Sequence, residues 1–332
     1  MLDVITVIVP CYNCASSVSR TLDSLLRQTM EGLVVLAIND GSTDHTLEVL
    51  QAYQKEHPAL SMRILTKANE GIAQARNFGL DHVETPYFGF LDSDDYADPD
   101  MFFDLYQVMQ KQHAQIAVSD FYWTYLNKET IQKDGPYQPG TDMMVHLFAV
   151  LWNKLFDTSF VRKSKVRFPV GYRYEDACFL YCLTMHVKCL AFTGKPYVHY
   201  VQHPGSITHT HNDQVKHMVH VFTIILDYYR RMKLFAAYQE ALEYITIRFF
   251  LGNNLFRASQ IADKGDRQRT IAMGWELLQK QFPNWHANPY LRKEKGLKNR
   301  IFRMMNDHTV FLFAQVFHQI GKIKNGRKAH AI

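Results

Sequence analysis

The chain opens with a short apolar run, Val4-Ile5-Thr6-Val7-Ile8-Val9, rich in β-branched residues and stopped by Pro10. Such a run predicts a strand buried on both faces. Ser16 or Ser17 then caps a helix with Val18, Leu22 and Leu25 on one face. The strand signal returns in Leu33-Val34-Val35-Leu36-Ala37-Ile38 and ends in the turn-forming Asn39-Asp40-Gly41-Ser42-Thr43-Asp44. A helix with Leu47 and Leu50 inward follows, then a third strand at Met62-Arg63-Ile64-Leu65 and a third helix over 72–83. Tyr87-Phe88-Gly89-Phe90-Leu91 is a fourth strand. This alternation predicts an α/β fold with a mostly parallel sheet flanked by helices. In such sheets ligands bind beyond the carboxyl ends of the strands. Pro10 to Asn13, Asp40 to Ser42 and Asp92 to Asp95 all fall there, so they are expected to share one crevice.

Residues 114–140 read as mixed and turn-rich, and 141–210 as an aromatic, half-buried pattern. From about residue 212 the period becomes helical, as in Val219, Val221, Phe222, Ile225 and Leu226. The expected division is therefore a domain over 1–210 and a helical region over 211–332.

Charge changes this picture only near the end. Residues 291–328 hold ten Lys or Arg against Glu294 and Asp307, a net +8, whereas the whole chain carries +5. The remainder is thus −3 (5 minus 8), and a basic tail on a mildly acidic body suggests an anionic surface as partner. Five cysteines and no charged leader before the first strand suggest a reducing cytosol. Cys11 and Cys14 have a C-x-x-C spacing but no second pair, which argues against zinc.

The chemistry concentrates in a few segments. Asp92-Ser93-Asp94-Asp95 places three carboxylates in four residues at a strand end, where they repel and call for a cation or water. Hard oxygen donors suit Mg²⁺ or Mn²⁺, whereas the bland reading is a solvated turn. Gly41-Ser42-Thr43-Asp44 offers backbone N–H groups at a helix start, a place for a phosphate or simply a connection. Asn69, Glu70, Gly71, Arg76 and Asn77 add amides and a cation, and Glu175-Asp176 opens another helix. A carboxylate there serves the helix dipole or acts as a general base. His199, His203, His209 and His211 cluster within thirteen residues, reading as a solvated loop or as a source of one metal ligand.

Taken together, Val7 to Asn13, Asn39 to Asp44, Asn69 to Gly71 with Ala75-Arg76-Asn77, Phe90 to Asp95, Trp152-Asn153-Lys154-Leu155-Phe156, Tyr174-Glu175-Asp176 and Pro204 to Thr208 appear in an ordered series. This series resembles the family-2 glycosyltransferases with a GT-A, Rossmann-like fold, especially those building bacterial capsules, exopolysaccharides and cell-wall polymers. The resemblance spans roughly residues 1–210 and implies roles. Pro10, Tyr12 and Asn13 would line a nucleotide pocket with Tyr12 against uracil, and Asp40 would accept from the base N3–H. Asn69, Arg76 and Asp92 would complete nucleotide binding, with Asp92 near the ribose. Asp94, with His209 as a weaker candidate, would bind Mn²⁺ or Mg²⁺ at the diphosphate. Asp176 would be the base of an inverting displacement, with Glu175, Trp152, Asn153 and Lys154 on the acceptor or donor-sugar side. His203 stands where relatives often have arginine, which puts a diphosphate clamp from that loop in question.

The implied reaction moves a hexose or N-acetylhexosamine from a nucleotide sugar, with UDP favoured, to a growing glycan, lipid-linked by the evidence of the basic tail. Leu297, Ile301, Met304 and Met305 share a helical face ringed by Lys298, Arg300 and Arg303, the pattern of an interfacial helix or of core packing. The chain then sits in the cytoplasm or peripherally on the inner face of the cell membrane, and its helical region is open to homo-oligomer formation. A non-catalytic nucleotide-sugar-binding module is the alternative, opposed by the presence of both Asp94 and Asp176. Nucleic acid is not expected, because no stacking-aromatic motif accompanies the basic tail. A nucleotidyltransferase would carry a glycine-rich basic loop after its first strand, and Pro10-Cys11-Tyr12-Asn13 is not one.

Overall fold

The computed structural model describes residues 3–202, 213–293 and 296–329. The chain divides into two compact units, Met1–Gly171 with Glu175–Pro204, and Tyr172–Tyr174 with Gly205–Ile332. His203, His209, His211 and the 204–208 segment lie outside the described residues.

In the first unit, β1 (Ile5–Cys11), β2 (Leu33–Asp40), β3 (Ser61–Lys67) and β4 (Tyr87–Phe90) alternate with α1 (Val18–Leu26), α2 (Thr46–Glu56) and α3 (Ile72–Asp81). All residues of β1 and β2 are buried, as their unbroken apolar runs require. β2 pairs with β1 and β3, and β1 with β4, all in parallel. Helix α3 lies close on β1: a Cβ at Gly79 would stand 2.7 Å from the Ile8 side chain.

Beyond β4 the sheet becomes mixed. The remaining elements are β5 (Tyr96–Ala97), α4 (Met101–Gln112), β6 (Ile116–Tyr125), β7 (Lys128–Gln132), α5 (Thr141–His146), β8 (Lys154–Asp157), α6 (Thr158–Ser164), α7 (Glu175–Thr184) and β9 (Leu190–Val201). The strand order is β3-β2-β1-β4-β8-β6-β9-β5, with β7 added to β6. β8 runs antiparallel to both β4 and β6, whereas β6 and β9 are parallel. The parallel arrangement expected from the first hundred residues therefore holds for β3 to β4. The turn-rich 114–140 stretch instead contributes a hairpin whose first strand lies inside the sheet. Phe88 stacks on Phe156 at 5.2 Å and Phe156 meets Phe179 edge-on at 6.2 Å, which joins β4, β8 and α7.

The second unit is helical: α8 (His217–Arg231), α9 (Phe235–Ile247), a π-helical turn Arg248–Asn254, α10 (Leu255–Ser259), α11 (Lys264–Gln281), α12 (Pro289–Lys293), α13 (Leu297–Arg303) and α14 (Thr309–Ala329). Phe222, Tyr229, Tyr244 and Trp285 form its buried centre. Among the described residues no helix is long and apolar enough to cross a membrane.

Candidate active site

The carboxyl ends of β1, β2 and β4 bring the expected segments together, and the side chains fall into two classes. Tyr12 is open, with 51 % of its surface exposed, and follows buried Pro10 at the end of β1. Asn13 adopts a left-handed φ of 50°. Its Oδ1 accepts from Thr43 N at 2.8 Å and Asp44 N at 3.3 Å, while Asn13 N donates to Ser42 Oγ at 3.1 Å. Asn13 is thus a strut between the first two strand-end loops.

Asp40 is buried at the end of β2. Its Oδ1 accepts from Lys67 Nζ at 2.8 Å and Glu70 N at 3.3 Å, and its Oδ2 from Gly71 N at 2.9 Å. An ionised carboxylate has about four lone-pair sites, so these three donors leave one on Oδ2. Asn69 is exposed on the same connection. Gly41 is needed beside it: φ is +63° and a Cβ would stand 2.6 Å from Asn69 N.

Arg76 holds the centre. It is 5 % exposed and donates to Asp92 Oδ1 at 2.9 Å and to Glu175 Oε1. The guanidinium therefore ties the acidic turn after β4 to the first turn of α7, rather than projecting as an open cation. Burial raises the Asp92 carboxyl above its ordinary range, and Arg76 opposes that rise. Burial also pushes the Asp176 pKa up to about 7, with Glu175 adding to the rise and Arg76 opposing it. Asp176 is half-buried and its Oδ1 accepts from Ala177 N at 2.7 Å.

The acidic turn is less uniform than its composition suggests. Asp95 faces inward, fully buried, with Oδ1 accepting from Val201 N at 2.8 Å and Oδ2 without a hydrogen-bond partner. Burial drives its carboxyl well upward, reinforced by Asp94 and Asp92. Asp92 and Asp94 remain half-buried. Arg20 donates to Asp94 O, and its guanidinium lies over the Tyr96 ring at 5.4 Å.

The tryptophan-asparagine-lysine segment stands apart from this open face. Trp152 packs edge-on against Phe121 at 4.6 Å. Lys154 is fully buried, and its Nζ reaches Asp134 Oδ2 and Asn153 Oδ1 at 2.8 Å and the carbonyls of Phe148 and Val150 at 3.0 Å. Asn153 Nδ2 donates to Ser119 O and Asp134 Oδ2. Expected at the sugar, Asn153 and Lys154 have their polar atoms engaged inside the protein, because a lysine among apolar neighbours must carry its counter-charge with it. Asp134 is the residue that sequence reading missed; it also accepts from Phe148 N and Tyr137 Oη. The available signal was Lys154 itself, set between Trp152 and Leu155-Phe156.

His199, read in the sequence as loop text, lies in β9. It is stacked between Tyr96 at 4.3 Å and Tyr122 at 4.6 Å, with its nitrogens on Glu129 and Asp98.

The family described as Glycosyl transferase family 2 matches residues 6–170, which carry β1 to β8 and the acidic turn. The chain belongs to glycosyl transferase family 2. Among relatives, the hyaluronan synthase of Pasteurella multocida is 45 % identical over 96 residues, 29 % of this chain and 10 % of that protein. The chain thus spans about a tenth of that synthase. The processive diacylglycerol β-glycosyltransferase of Mycoplasma pneumoniae is 28 % identical over 235 residues, covering 65 % of this chain and 68 % of the relative. S. aureus TarS 1–349, solved in complex with UDP-GlcNAc, superposes with a TM-score of 0.72 at 17 % identity over 97 % of this chain and 92 % of that one. That likeness shows the GT-A fold.

Members of this family with a GT-A fold imply a divalent cation, and the residues present bear on it directly. Among the described residues no group of three or more ligating side chains forms. The half-buried carboxylates of Asp92 and Asp94 nevertheless fit an ion that takes one or two carboxylates and draws its other ligands from a diphosphate and water.

Proposed function

We propose that this chain is an inverting, metal-dependent glycosyltransferase that moves a hexose or N-acetylhexosamine from a UDP-sugar to a hydroxyl of a growing, lipid-linked surface glycan. The observation that carries the reading is the Arg76 bridge between Asp92 and Glu175, which puts a near-neutral carboxyl, Asp176, beside the acidic turn. TarS was solved with UDP-GlcNAc, and the Mycoplasma relative is named for a diacylglycerol glycosyltransferase, which support the donor and acceptor classes.

In this reading the exposed Tyr12 ring stacks on the uracil, and the remaining lone pair of Asp40 Oδ2 accepts the base N3–H. Asn69 lies along the same edge, and Asn13 keeps the two loops in register. Asp92 lies near the ribose and Asp94 would hold Mn²⁺ or Mg²⁺, which would offset the charge developing on the departing diphosphate. Asp176 takes the proton of the acceptor hydroxyl as that oxygen attacks the anomeric carbon, so one displacement inverts the centre. A base with a pKa near 7 suits proton transfer at neutral pH. Arg76 keeps Glu175 paired and in place. Trp152, Asn153, Lys154 and Asp134 act by holding the fold, with Lys154 in electrostatic reach of Asp176. The protein works at the cytoplasmic face of a membrane that carries its acceptor.

The test is a panel of UDP-, GDP-, dTDP- and CMP-sugars with Mn²⁺ or Mg²⁺, recording released nucleotide with and without EDTA. Slow, EDTA-sensitive hydrolysis of a UDP-sugar is expected. Absence of both binding and turnover across the panel would overturn the reading.

A further inference from the structure

Helix α14 has two unlike faces. One is seated on α10 through the Phe256–Phe317 ring contact at 6.0 Å, His318 Nδ1 donating to Ser259 O at 2.6 Å, and Gln260 Nε2 donating to Phe317 O at 2.8 Å. Val310, Ala314 and Gly321 are buried on that side. The other face carries Leu312, Val316, Ile320 and Ile323, which are 57 %, 53 %, 38 % and 58 % exposed. Their spacing confines them to an arc of about 80° at roughly 100° per residue. They form one apolar ridge about three turns long. Since α14 is already docked by its opposite side, this ridge is surplus to the packing of its own unit.

Charge selects the occupant. The helix contains Lys322, Lys324, Arg327 and Lys328 and no acidic residue. The preceding α13 ends in Arg300 and Arg303, with Leu297 and Met304 exposed at its two ends. A second copy meeting this ridge would place acid-free, cationic helices together without a compensating carboxylate. A bilayer with anionic headgroups offers both an apolar layer for the ridge and negative charge for the lysines. We propose that the outer face of α14 is a membrane-docking surface for anionic lipid, lying in the interface without crossing it. The proposal deepens the lipid-linked-acceptor reading above by naming the face that would bring the enzyme to its acceptor.

The experiment is flotation of the full chain with vesicles of phosphatidylcholine, with and without about one-third phosphatidylglycerol. The same preparations are assayed for UDP-sugar hydrolysis and run in sedimentation velocity. The intact chain should float with the anionic vesicles and not with pure phosphatidylcholine. The double variant Val316→Glu, Ile320→Glu should lose about tenfold or more of that binding while its donor hydrolysis is unchanged. No flotation, or equal flotation of the double variant, overturns the proposal. So does a concentration-dependent dimer that the variant dissolves, which would assign the ridge to a second copy. Absence of both UDP-sugar binding and hydrolysis from the two proteins would sink the transferase reading instead, and flotation would still report on the ridge.

Discussion

Two buried cations organise the first unit, and they do so in opposite ways. Lys154 is hydrogen-bonded to a single carboxylate, Asp134, and its other bonding partners are carbonyl or amide oxygens, with Asp176 in electrostatic reach of it as of Arg76. Asp134 in turn accepts from Tyr137, Phe148, Asn153 and Lys154. Charge balances and the network is closed. Arg76 is outnumbered, with Asp92 and Glu175 on its guanidinium and Asp176 within electrostatic reach. Its Nε has no hydrogen-bond partner, and Asp92 and Asp176 are both pushed upward. The contrast separates architecture from chemistry: a balanced cluster holds shape, whereas one with surplus carboxyl groups holds protons ready to move.

The widest separation should come from Asp176→Asn. Transfer is expected to fall by about 10²- to 10⁴-fold, the usual range for a general base. Stability should not fall with it. A carboxyl whose pKa is raised in the folded state costs stability as it ionises, progressively from its unfolded value near 4 up to about 7. Asparagine avoids that cost, so above pH 7 the variant should melt at the same temperature as the parent or higher.

Lys154→Met should do the reverse. It leaves Asp134 buried without its counter-charge, at a cost of ~3–5 kcal/mol. Urea denaturation should show the loss, and the activity remaining per folded molecule should stay near that of the parent. A Lys154→Met protein that is stable yet inactive would move this residue to the chemical side of the comparison.

Tyr12→Ala tests the open edge of the site. Loss of base stacking should weaken nucleotide binding by ~1–3 kcal/mol, read by calorimetry with UDP, with little change in kcat. The smallest effect is a shift in pH. Arg76 lowers the Asp176 pKa, so Arg76→Gln should carry the ascending limb of the rate profile to higher pH. An unmoved limb would separate Arg76 from the base.

Much of the open cluster was legible in the sequence because strand ends announce themselves. Apolar runs stopped by Pro10, Asn39-Asp40 and Asp92 fix where the loops meet, and each loop carries its polar residues within four positions. What those residues do to one another was not legible. Arg76 and Glu175 are 99 positions apart, and nothing local shows that the arginine would be consumed by two acids. The inward turn of Asp95 was equally hidden, since it depends on Val201 N from β9. The closed cluster was not legible for a related reason. Strand β6 mixes Ser119, Asp120 and Thr124 with its apolar residues, and the turn signals of Asp134-Gly135-Pro136 obscured a carboxylate whose partner lies 20 positions on. Balanced polar networks are specified by tertiary packing, and a local pattern does not record them.

Whether Asp176 is the base of a neutral-pH transfer is decided by the pH–rate profile of sugar transfer from the donor that the panel identifies. With Asp176 as the base, the wild-type rate rises with pH and levels off above about 7, and the Asp176→Asn rate is orders of magnitude lower with no such limb. An Asp176→Asn protein that keeps both the rate and the ascending limb would contradict that role.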